Sequence, residues 1–216
     1  NMDALMGAGA ASMDQLSSGN AQHYSKSLWG MAKAGFQPPD SITRKLATAV
    51  AERSSDAAPQ ALSNTLWALA TLGCNPGAST VSKLATAVAE RSRDADPQAL
   101  ANTLWALATL GCNPGASTVS KLASAVAERS SDADPQALSN TLWALSTLSC
   151  YPGANTVRDL VTAVAERSRD AKPQELSNAL WAVAKLDSNP DAGTVSKLAS
   201  AVAERRSDAA PQSLSN

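Results

Sequence analysis

Aromatic side chains are scarce in this 216-residue chain: they make up 4% of it, with a single Phe. A globular core built around large rings is thereby excluded. Alanine, leucine and valine must fill the interior instead, and such side chains suit closely spaced helices better than a sheet. Histidine is represented by His23 alone, and the three cysteines show no paired spacing, so neither a metal site nor any other cofactor is expected. An excess of either charge is also lacking. Eighteen Lys and Arg face nineteen Asp and Glu, so no global field draws the molecule to phosphates or membranes, and any nucleic-acid face has to be local. No apolar run approaches the roughly 18 residues that span a bilayer, and no basic region leads into an apolar stretch at the start. A membrane partner is therefore not expected.

Against these absences stands a strict period. Trp29, Trp67, Trp105, Trp143 and Trp181 are spaced 38 residues apart. Pro-Gln recurs in the same register at Pro59, Pro97, Pro135, Pro173 and Pro211, and Glu-Arg at Glu52, Glu90, Glu128, Glu166 and Glu204. A fixed period between about 20 and 50 residues marks stacked supersecondary units. The expected organisation is five repeats over 21–210, namely 21–58, 59–96, 97–134, 135–172 and 173–210. Residues 1–20 form an N-terminal cap or linker, and 211–216 begin a sixth repeat. The chain opens with Asn1 before Met2 and stops at Asn216 inside a repeat. It therefore reads as an excised fragment whose uncovered end invites end-to-end self-association.

Each repeat predicts two helices. In 97–134, Asp96 suits an N-cap, Pro97 the first helical position and Gly111 a left-handed stop, which bounds helix A. After Cys-Asn-Pro-Gly, helix B runs from Ala116 to Arg129, with Val119, Leu122, Ala123 and Val126 on one face. Each hairpin then exposes an apolar stripe that only a neighbouring hairpin covers. The fold class expected is all-α, an α-solenoid of tandem 38-residue two-helix repeats.

At 100° per residue, helix A of the second repeat places Leu62, Leu66, Leu69 and Ala70 on one arc and Gln60, Asn64 and Thr71 opposite, with Trp67 at the border. Stacking turns these positions into ladders: Asn64, Asn102, Asn140 and Asn178, then Thr71, Thr109, Thr147 and Lys185, with Lys26 and Lys33 entering the same columns in the first repeat. Amides and hydroxyls read base edges, and indoles stack on bases for about 1–3 kcal/mol each. The competing reading is structural. Trp wedges between adjacent A helices, and Asn bonds a neighbouring backbone carbonyl.

Cys74, Cys112 and Cys150 form a column one repeat apart, too far for disulfides across helices about 8–10 Å apart, and read as small packing residues near a turn. The Glu-Arg pairs and the following Asp56, Asp94, Asp132, Asp170 and Asp208 read as helix-end and turn chemistry. A carboxylate repeated in every module is not the asymmetric constellation that catalysis needs, so no catalytic residue is assigned and no enzyme is expected.

The string Pro-Gln-Ala-Leu-Ser-Asn-Thr-Leu-Trp-Ala-Leu-Ser-Thr-Leu from Pro135, with the 38-residue period, resembles the octotricopeptide repeat family over roughly residues 21–216. The resemblance implies a right-handed helical-hairpin superhelix that binds single-stranded RNA, with helix A lining the inner surface. It also implies a setting in organelle gene expression, in chloroplast or mitochondrion. The family's Pro-Pro-Pro-Glu-Trp-like segment is matched only partly, by Gln37-Pro38-Pro39-Asp40-Ser41. Repeats of similar helical pattern also occur in bacterial effectors that act inside a host cell. The alternative is thus a scaffold for a protein partner.

Overall fold

The computed structural model describes residues 20–206 except 187 and 189. The expected cap or linker, apart from Asn20, and the beginning of a sixth repeat lie outside the described residues, as does the end on which self-association would depend. Ten helices follow in order: α1 (Ala21–Lys33), α2 (Asp40–Glu52), α3 (Pro59–Thr71), α4 (Ala78–Glu90), α5 (Pro97–Thr109), α6 (Ala116–Glu128), α7 (Pro135–Thr147), α8 (Ala154–Glu166), α9 (Pro173–Lys185) and α10 (Ala192–Arg206). No strand occurs among the described residues. Odd-numbered helices are the A helices and even-numbered ones the B helices, and each set starts every 38 residues. The protein is an α-solenoid of helical hairpins.

Each helix packs on its hairpin partner and on its counterparts in the neighbouring repeats. Successive A helices contact each other far more extensively than successive B helices do. Small side chains permit this close approach: Ala99, Ala101 and Ala106 on α5 are buried, as are Ala61, Ser63 and Ala68 on α3. The A helices thus form the more tightly packed of the two layers. Leucines fill the space between the layers, with Leu62, Leu66 and Leu69 of α3 and Leu100, Leu104 and Leu107 of α5 fully buried.

The helix ends explain why the hairpins repeat so closely. Asp96 and Asp134 cap α5 and α7 by accepting the amides of Ala99 and Ala137, each at 2.6 Å. At the other end, Cys112 N–H donates to Leu107 O at 3.0 Å and Gly111 N–H to Ala108 O at 3.2 Å. This is the Schellman pattern, with Gly111 left-handed at φ 63°. The cysteine column is thereby placed: Cys74, Cys112 and Cys150 occupy the position just after this motif and are buried there, whereas Phe36 holds it exposed in the first repeat. After the following proline, Gly115 starts α6 at φ 109° and ψ 147°, backbone that only glycine adopts readily. Asn113 Oδ1 accepts its amide at 2.9 Å.

The fourth repeat departs from this pattern. Ser149 stands where Gly35, Gly73 and Gly111 stand in the earlier repeats, at φ 52°. A left-handed L-residue costs roughly 1–2 kcal/mol, and the added unfolded-state freedom of glycine returns part of that. Nothing lies within 4 Å of the Cβ direction at Gly73 or Gly111, so the strain at this position is in the backbone and not in packing. Ser149→Gly is expected to raise stability by about 0.5–1 kcal/mol, read as a higher urea midpoint with an unchanged m-value. A lower midpoint would show that the Ser149 side chain contributes more than its backbone costs.

Two sets of hydrogen bonds tie repeat to repeat. Ser25 and Ser63 hydroxyls donate across the A layer to the carbonyls of Ala61 and Ala99, at 2.6 and 2.7 Å. At the ends of the B helices, arginines donate into the turn of the preceding repeat. Arg91 reaches Ser54 O at 2.6 Å, Ala57 O at 2.5 Å and Ser55 O at 3.2 Å. Arg167 reaches Ser130 O at 2.5 Å, Ala133 O at 2.7 Å and Ser131 O. Arg129 makes the single equivalent bond to Ser92 O, at 2.9 Å.

Candidate functional site

With A neighbours on both sides and the B layer behind, an A helix keeps little surface. On α3, eight of thirteen residues are buried. Those left open are chiefly Gln60, Asn64, Trp67 and Thr71. Their spacing of four, three and four residues draws one line down the helix. The same line recurs as Gln98, Asn102, Trp105 and Thr109 on α5, as Gln136, Asn140, Trp143 and Thr147 on α7, and as Gln174, Asn178, Trp181 and Lys185 on α9. In α1 it reads Gln22, Lys26, Trp29 and Lys33. All ten residues singled out from the sequence therefore lie on one stripe of the A layer. The Asn are half-buried, and the Thr and Lys are exposed.

Three of the four asparagines are held within their own helices. Gln60 Nε2 donates to Asn64 Oδ1 at 3.1 Å, Gln98 to Asn102 at 2.9 Å and Gln174 to Asn178 at 3.0 Å. The expected alternative, an Asn bonded to a neighbouring repeat's carbonyl, is a role filled by Ser25 and Ser63. These Gln–Asn bonds orient the amide while its Nδ2 donors take no part in them.

The tryptophans divide by position. Trp67, Trp105 and Trp143 are half-buried and packed against the core, while Trp29 and Trp181 in the outer repeats are 41% and 47% exposed. The wedge reading therefore holds in part for the inner three, each of which still presents an edge or face to the stripe. Lys33 Nζ lies 5.7 Å from the Trp29 ring centre and 5.1 Å from that of Trp67. Indoles of two successive repeats thus address one cation from the same surface.

Charge is distributed unevenly. The A helices contain one acid, Glu175, which is buried and accepts the Lys172 amide at 2.8 Å. The stripe itself holds three lysines and no carboxylate. Exposed acids gather instead along the edge where B helices turn into the next A helices, at Asp56, Asp94, Asp96, Asp132, Asp134 and Asp170. On the opposite edge, the turns 72–77, 110–115 and 148–153 carry no ionisable acid.

Other features offer less. A cleft of about 260 Å³ on the B side lies among Arg93, Lys121, Ser124, Glu128 and Arg129. Glu128 offsets its positive charge, and Arg129 is committed to Ser92 O. The cysteines are buried free thiols. Burial pushes the Cys74 thiol up, and the nearby Asp40 charge adds to this, which keeps it protonated and unreactive. Among the described residues, no three His, Cys, Asp or Glu side chains gather as a metal site would require. No described helix is long and apolar enough to cross a membrane.

Sequence reasoning missed the arginine bridges between repeats, because the Glu-Arg column reads equally well as a helix-end dipole pair. It did find the stripe, whose signal is the recurrence of polar residues at helical spacing among alanines and leucines.

Residues 77–169, under half of the chain, match the family model described as the Tbc2 translation factor, N-terminal domain. No curated protein sequence matches the chain. The match spans the B helix of the second repeat through the B helix of the fourth, where the repeats are nearly identical, and so makes this part of the solenoid similar to a domain of a translation factor.

Proposed function

We propose that the array is a non-catalytic, octotricopeptide-type repeat module that binds single-stranded RNA along the A stripe. The observation that carries this reading is the stripe itself: amides, hydroxyls, indoles and lysines with no carboxylate, in a chain whose acids slightly outnumber its bases. RNA is read from unstacked bases by hydrogen bonds and by aromatic stacking, and the stripe supplies both in every repeat. In the inner repeats, the place of Lys33 is taken by Thr71 and Thr109, whose short side chains leave the indoles accessible to a base. The similarity to a translation factor's domain supports the choice, since translation works on RNA. The alternative of a protein scaffold finds anchors in the exposed Trp29, Phe36, Tyr151 and Trp181, but these belong to the first, fourth and fifth repeats and form isolated points.

Asn102→Ala combined with Asn140→Ala tests the reading. Each lost hydrogen bond contributes about 1 kcal/mol, so the pair is expected to weaken single-stranded RNA about thirtyfold. The melting temperature should stay within about 1 °C of the parent, because both residues sit on the open stripe. Replacing Lys83 and Lys121 on the B helices with Gln should leave affinity unchanged. Filter binding and thermal melting check the outcome. Melting lowered with RNA affinity intact would make the ladder structural and favour a protein partner.

A further inference from the structure

We propose that the bound strand has a fixed orientation across the stripe: its phosphates follow the row Lys33, Thr71, Thr109, Thr147 and Lys185 at the C-terminal ends of the A helices, and its bases turn back toward the Asn row. This rests on the RNA reading above and adds to it the placement of the backbone.

The four stripe positions sit at different heights on each A helix. Gln60 is the second residue of α3 and Thr71 the last, about 16 Å apart along the axis at 1.5 Å per residue. The Gln row therefore borders the edge that carries Asp56, Asp94, Asp96, Asp132, Asp134 and Asp170, all exposed, together with Arg93, Arg169 and Lys172 and the arginines that bridge the repeats. A phosphate there meets like charge within about one Debye length, roughly 8–10 Å. The Thr row borders the opposite edge, whose three central turns, Leu72 to Gly77, Leu110 to Gly115 and Leu148 to Gly153, contain no acid, while Asp40 and Asp191 stand at its two outer turns.

Lysine follows the same gradient. The Gln row has none in five repeats, the Asn row has Lys26, and the Thr row has Lys33 and Lys185. At the end of a helix, lysine also complements the dipole, so these two positions suit a cation with or without RNA. Capping gives Asp96 and Asp134 a structural reason of the same kind, so it is the two gradients together that set the orientation. Lys33 is further held over two indoles, so its ammonium has a defined place at the junction of the stacking surface and this edge. With phosphates on this row, bases that extend toward the helix N-termini pass the Trp row and reach the oriented Asn amides. The reverse orientation sets the backbone against the aspartates and leaves Lys33 and Lys185 without phosphates.

Two triple variants of equal charge test the orientation. One places lysines in the Thr row, as Thr71→Lys, Thr109→Lys and Thr147→Lys; the other places them in the Gln row, as Gln60→Lys, Gln98→Lys and Gln136→Lys. The probe is a random-sequence single-stranded RNA, with affinity measured across a salt series and folding checked by helical circular dichroism. Each lysine that meets a phosphate steepens the slope of log affinity against log salt by about 0.7. The Thr-row triple is expected to steepen it by about 2 and the Gln-row triple by less than half of that. In the parent, Lys33→Gln with Lys185→Gln should flatten the slope by about 1.4. An equal or larger steepening from the Gln row, or a slope indifferent to Lys33 and Lys185, overturns the orientation while RNA binding stands. A parent chain that binds no RNA overturns the RNA reading and the orientation together.

Discussion

Replacing Leu104 with Ala is expected to cost about 3–4 kcal/mol and to bring unfolding of the central repeat within reach of mild denaturant. Leu104 lies on α5, in the third of the five hairpins, and is fully buried. Truncation removes its transfer free energy and leaves a cavity, and buried Leu→Ala changes cost about 2–5 kcal/mol. The upper half of that range applies because the surrounding groups cannot easily move inward. Neighbouring A helices flank α5 on both sides and the B layer backs it, so collapse at this point strains three interfaces. In a solenoid each repeat relies on its neighbours, and a defect in the middle interrupts the core in both directions. The control is Leu110→Ala in the same repeat, where the side chain is only half-buried at the end of the helix. About 1 kcal/mol is expected there. Urea unfolding of both variants measures the difference. Equal costs would mean that the core is loose enough to close around the Leu104 cavity.

The depth of that core was only partly legible in the sequence. The period, the two helices per repeat and the turn chemistry follow from Trp, Pro-Gln and Asn-Pro-Gly, because those residues act locally and recur identically. Helix A reads as amphipathic, with leucines on one arc. In the folded protein it is enclosed almost all round, since Ala61, Ser63, Thr65 and Ala68 also lie in contact zones. Small residues carry weak hydropathy signals, so their role in close helix approach becomes visible only when neighbouring A helices are in place. Thr65 and Thr103 satisfy their buried hydroxyls on the carbonyls of Ala61 and Ala99, four residues back, each at 2.9 Å. Such local bonding lets a polar column read as surface when it is interior.

The stripe was legible for the opposite reason. Gln, Asn, Trp and Thr at spacings of four, three and four stay polar or large in every repeat, which conflicts with a closely packed layer unless they face outward. Its charge polarity was not legible. The aspartates of the B-to-A turns lie between the helices in sequence, and only the hairpin geometry gathers them on one edge. The lysines, counted alone, merely interrupt two columns. The Schellman turn accounts similarly for the cysteines: spacing identified them as packing residues near a turn, while the backbone bonds that fix their position are a property of the folded chain.

The arginine bridges show most clearly what the sequence concealed, and they support the second large effect. Arg167→Ala is expected to cost about 2–3 kcal/mol, Arg91→Ala about the same, and Arg129→Ala about 1 kcal/mol. Each carbonyl that these guanidiniums reach lies in a turn that leaves a helix C-terminus, where backbone acceptors lack partners within the helix. A hydrogen bond from a charged donor contributes about 1.5–3 kcal/mol when its acceptor is shielded, and less where water can replace it. Arg167 and Arg91 each reach three carbonyls of the preceding repeat, and Arg129 reaches one. The three arginines are half-buried, so a full sum over the bonds would overstate the loss. Lysine is not an adequate replacement, because its ammonium lacks the planar fork that spans several carbonyls. Since each bridge joins one repeat to the one before it, its removal should weaken coupling at that interface. Hydrogen exchange should then show α7 to α10 opening independently of α1 to α6 in Arg167→Ala, and α1 and α2 opening independently of α3 to α10 in Arg91→Ala. A cost for Arg129→Ala as large as that for Arg167→Ala, or exchange that rises uniformly along the array, would place these residues' contribution in local helix capping and not in the coupling of repeats.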